Sequence, residues 1–106
     1  MAKYLFIGSY TADGAKGLLN DGGSKRREAI QQLIESVGGK LESIYWGFGK
    51  DDSYTVADFP SPAAAAAAAL KVGSSGSARV RTVPILTAED LDAAAQMSPT
   101  FRPPGA

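Results

Sequence analysis

The chain has 106 residues, the usual length of one domain, and at 44% hydrophobic it has enough apolar surface for a packed core. Eleven basic residues balance eleven acidic ones, so net charge draws the molecule neither to nucleic acid nor to an anionic membrane, and neither is expected as a partner. There is no cysteine and no histidine, which excludes disulfides, thiolate catalysis, zinc–thiolate sites and a Ser-His-Asp triad. Acid–base chemistry falls to Asp, Glu, Lys, Tyr or water, and no cofactor or metal is expected.

Lys3 to Tyr10 predicts a first strand, apolar or aromatic on both parities, the pattern of a strand covered on both faces. Its run Tyr4-Leu5-Phe6-Ile7 is too short for a signal core or a membrane span, so a cytoplasmic protein is expected. Residues 11–23 are glycine-rich and read as a loop with one helical turn near Ala15–Leu19. Ser24 is the expected N-cap of a helix over 25–37, in which Ile30, Leu33, Ile34 and Val37 share a face and Gly38-Gly39 supplies the stop. Strands over 40–48 and 53–59, joined by a turn at Gly49-Lys50-Asp51-Asp52, make an antiparallel hairpin. Ser61 caps and Pro62 opens an alanine helix that runs to Val72. It reads as a slim helix lying close on its own sheet, the alternative being a close-packed partner surface. Residues 78–86 form the fourth strand, and Pro84 marks an edge or the end of pairing. Thr87 and Asp90 frame a last short helix that Ser98-Pro99 stops. The domain thus covers 1–97, and 98–106 is an extended Pro-rich tail, loose or laid across a neighbouring subunit.

This order, βαββαβ plus a short C-terminal helix, predicts an α+β ferredoxin-like sandwich: a four-stranded antiparallel sheet with two helices on one face. The other face is then uncovered. Yet Leu5 and Ile7 alternate with Tyr4, Phe6 and Tyr10, while Ile44, Trp46 and Phe48 alternate with Leu41 and Tyr45. An apolar patch of that extent marks an interface, and the expected partner is the protein itself, as a homodimer or higher homo-oligomer.

Several segments carry a family resemblance over nearly the whole chain: Lys3–Tyr10, Gly17-Leu18-Leu19, Gly22-Gly23-Ser24-Lys25-Arg26-Arg27, Gly38-Gly39-Lys40-Leu41-Glu42, Tyr45-Trp46, Gly49 to Asp52 and Arg79-Val80-Arg81-Thr82. In these the chain resembles the GYD domain family of small bacterial proteins. The glycine and aspartate of the family's motif match Gly49 and Asp52, while Asp51 stands in the tyrosine position. The resemblance implies a fold of the dimeric α+β barrel type, a group that includes cofactor-free oxygenases, isomerases and ligand-sensing domains. It implies no particular reaction.

Four constellations are candidates for chemistry. Ser24, Lys25, Arg26 and Arg27 after Gly22-Gly23 offer a helix N-terminus with added cations, suited to an anionic ligand; the competing reading is a capped helix with solvated charges. Gly47-Phe48-Gly49-Lys50 echoes a phosphate loop, but a strand follows it rather than a helix. Tyr10, Tyr45, Trp46 and Tyr54 with Arg79 and Arg81 can line a pocket, or serve as core and interface with the arginines paired to Glu42 or Asp58. Asp51, Asp52 and Asp58 can attract a cation or simply shape the turn. Two functions follow. One is a homo-oligomeric module for interaction or for binding a small molecule, anions among the candidates, through Ser24, Lys25, Arg26, Arg27, Tyr45 and Arg79. The other is a cofactor-independent oxygenase or isomerase using Tyr10, Trp46, Asp52 and Arg81.

Overall fold

A computed structural model describes residues 1–47 and 49–106. Eight elements follow in order: β1 (Ala2–Tyr10), α1 (Ala12–Asp21), α2 (Gly23–Ser36), β2 (Lys40–Trp46), β3 (Ser53–Phe59), α3 (Pro62–Ser74), β4 (Ala78–Ile85) and α4 (Ala88–Gln96). The strands form one antiparallel sheet in the order β2-β3-β1-β4, consistent with a ferredoxin-like fold. Among the described residues no helix is long and apolar enough to cross a membrane.

Strand parity decides which side chains meet the helices. Tyr4 and Phe6 of β1 pack edge-to-face on Phe59 of β3, with ring centroids 5.9 and 5.6 Å apart. Ile34 of α2 and Ala65 and Ala68 of α3 close over this cluster, so both helices lie on one face. Burying a side chain the size of Phe59 contributes about 1.5–3 kcal/mol. The alanine run of α3 works as a slim contact. Ala65 and Ala68 are buried while Ala66 and Ala67 face water, and Ser61 caps the helix by accepting from the Ala64 N–H at 3.1 Å.

Three expectations are corrected. Residues 11–23 are not a loop: α1 is a ten-residue helix whose N-cap, Thr11, accepts from the Gly14 N–H. Ser24 is not a cap but lies inside α2, whose N-cap is Gly22 at φ 78°, a conformation that suits glycine where the chain turns sharply from α1 into α2. The parity of β2 is broken by an irregularity between Leu41 and Ser43. A β-bulge of this kind moves Leu41 onto the helix side with Ile44 and Trp46, away from the side Tyr45 occupies. Phe48, the expected end of β2, lies outside the described residues. Pro84 pairs with Tyr4 on the edge strand β4. The capping box of Thr87 and Asp90 is present, and α4 buries none of its residues.

Candidate functional site

The register sorts the candidate residues onto two faces. Tyr10 and Trp46 point to the helix side, where the Trp46 Nε1–H donates to the Tyr10 hydroxyl at 3.0 Å. The start of α2 lies over the indole: a Cβ on Gly23 would sit 3.8 Å from it. Tyr45 and Tyr54 pair with each other on the open face, and Ile7 pairs with both Tyr54 and Arg81. The aromatic and arginine group is therefore divided. Tyr10 and Trp46 belong under the helices, while Tyr45, Tyr54, Arg79 and Arg81 belong to the uncovered face.

Between the sheet, α2 and α3 lies a cavity of about 70 Å³. Its walls are mainly apolar, with Phe6, Ile30, Ile34, Ile44, Ala68 and Val80 among them, and Tyr10, Ser53, Thr55 and Ser77 add hydroxyls. Arg26 also lines it and is the one charged residue among the described lining residues. The space exists because small residues line it on both layers. In the sheet Gly8 and Ser53 lie side by side, so close that a Cβ on Gly8 would stand 2.5 Å from Ser53 Oγ, and neither fills the space above. Ala68, Ala69 and Ala78 complete the deficit of volume. Of the four-residue cationic group, only Arg26 reaches this cavity. Ser24 and Lys25 are exposed, and Arg27 borders a shallow groove beside β2 with Gln31, Glu42 and Tyr45.

The carboxylates are engaged separately. Asp52 accepts from the Tyr10 backbone N–H at 2.8 Å, and its own N–H donates to the Gly8 carbonyl at 2.8 Å. Asp51 accepts from the Ser9 hydroxyl at 3.4 Å and meets Arg81 at 3.5 Å. Asp58, six residues further along β3, pairs with Lys3 at 3.0 Å, and Glu42 completes that pair at 3.1 Å. The expected pairing of the arginines with Glu42 or Asp58 is thus replaced. Strand β4 does not adjoin β2 or β3, and Lys3 of β1 takes both acids. The bond to Asp58, and then that to Glu42, raise the Lys3 ammonium above its ordinary 10.5. Lys3 was not singled out from the sequence, where its partners are 39 and 55 residues away. Gly8, Ser53 and Thr55 were likewise missed, and the usable signal was the small or polar Ser53, Thr55 and Ala57 on the helix-facing parity of β3, with Gly8 interrupting the aromatic parity of β1.

In comparison with known proteins, the GYD domain model matches residues 4–95. None of the curated proteins compared matches the chain.

Proposed function

The chain belongs to the GYD domain family, and from that premise we propose that it is a homo-oligomeric module binding a small molecule between its sheet and its two packed helices. The observation that carries this reading is the cavity: apolar walls with a few hydroxyls and one cation are the composition of a ligand site. Support for self-association comes from the open face. Leu5, Val56, Val83 and Ile85 share it with Tyr45 and Tyr54, which are 70% and 39% exposed. A second copy related by a two-fold axis would bury the same strip from both subunits.

The oxygenase or isomerase reading has less support. Asp52 is held by the β1 backbone and Arg81 faces Asp51 on the far side of the sheet from Tyr10 and Trp46, so the four candidates do not converge.

Native mass spectrometry on gently purified protein tests both halves, with Ala68→Leu as the filled-cavity control. The expected result is an oligomer carrying added mass that the leucine variant loses. A monomer at micromolar concentration would overturn the sheet-to-sheet assembly. An oligomer whose added mass survives the substitution would overturn the cavity as its location.

A further inference from the structure

We infer that the ligand of this cavity is a small carboxylate, its anionic end on Arg26 and Tyr10 and its short apolar body between α2, α3 and the sheet. The inference rests on the binding reading above and adds the chemical class. The half-buried Arg26 enters none of the ion pairs among the described residues, and no acidic side chain lines the cavity. A guanidinium turned toward apolar walls without a counter-ion is unfavourable, and an anion there relieves the cost. The planar fork of arginine matches a carboxylate through two parallel bonds, a geometry that a neutral alcohol cannot use.

Tyr10 supplies the second contact. Its oxygen already accepts from the Trp46 Nε1–H, so its own proton is free to donate. A chain of donors from Trp46 through Tyr10 to an anion strengthens along its length. The space sets the size. A cavity of about 70 Å³ is roughly half of one of about 150 Å³ that holds benzene, so a body of a few carbons is enclosed and the polar end remains at the mouth.

The experiment compares butanoate with 1-butanol on the full chain, wild type and Arg26→Gln, with binding followed by calorimetry and thermal shift. Wild type is expected to bind butanoate more tightly than butanol by about tenfold or more, the worth of a hydrogen-bonded charge. Arg26→Gln is expected to bring butanoate down to the level of butanol and leave butanol unchanged, while Arg26→Lys restores part of the difference. Equal binding of the two probes to wild type and Arg26→Gln overturns the carboxylate assignment and leaves the cavity standing, provided that Ala68→Leu abolishes both. Failure of both probes to bind wild type overturns the assignment together with the cavity reading.

Discussion

Asp52 joins the turn between β2 and β3 to the end of β1, with its N–H on the Gly8 carbonyl and its carboxylate on the Tyr10 N–H. A bond to a charged acceptor is worth about 1.5–3 kcal/mol, so Asp52→Ala should lower stability by that amount in urea denaturation, and Asp52→Asn, which keeps an acceptor, by less. A variant as stable as wild type would return Asp52 to the list of residues free for chemistry. In the sequence Asp52 was legible as a turn residue and a motif match, but its role was not. Its partner Tyr10 lies 42 positions away, and only the register of β1 against β3 brings them together. Arg26 was legible as a cation near a helix start. What separates it from Lys25 and Arg27 is the direction each takes around the helix: Arg26 stands four residues before Ile30, on the face that Ile30, Leu33 and Ile34 turn to the cavity, so the signal lay in the local spacing and went unread.

At the scale of elements, four strands, α3 and α4 were readable because their signals are local: alternation, an alanine run, Ser61-Pro62 and Thr87 with Asp90. Helix α1 was not, because Gly14 and Gly17 lower helix propensity and tertiary contacts override it. Thr11 donates from its backbone N–H to the Ser77 carbonyl at 3.0 Å, and Gly14 packs so closely there that a Cβ would collide with the same carbonyl. The two glycines should therefore respond in opposite ways to alanine. Gly17→Ala meets nothing within 4 Å and should raise stability by about 0.5–1 kcal/mol through helix propensity. Gly14→Ala should lower stability despite the same propensity gain. Thermal melts of the two variants check this, and a stabilised Gly14→Ala would mean that α1 does not dock on Ser77. The bulge at Glu42 escaped sequence reading for a related reason: strict alternation was assumed along β2, and one extra residue reverses it.

The whole molecule is longer than its sandwich, measuring 58 × 31 × 22 Å. The last helix and tail account for exposed apolar groups the core does not take in, with Leu91 55%, Met97 70% and Phe101 78% exposed. The layer architecture and its uncovered sheet face followed from element order, whereas this projecting arm did not, since a capped amphipathic helix reads the same whether or not it docks. Its consequence is hydrodynamic. The radius of gyration is 16.9 Å, where a compact chain of this length has about 13 Å. By the same scaling, 16.9 Å belongs to a compact protein of about 210 residues, twice the 106 present. On a size-exclusion column a single chain should therefore elute where a compact dimer would, and light scattering on the eluting peak, which weighs the particle rather than sizing it, would return the mass of one subunit or of several.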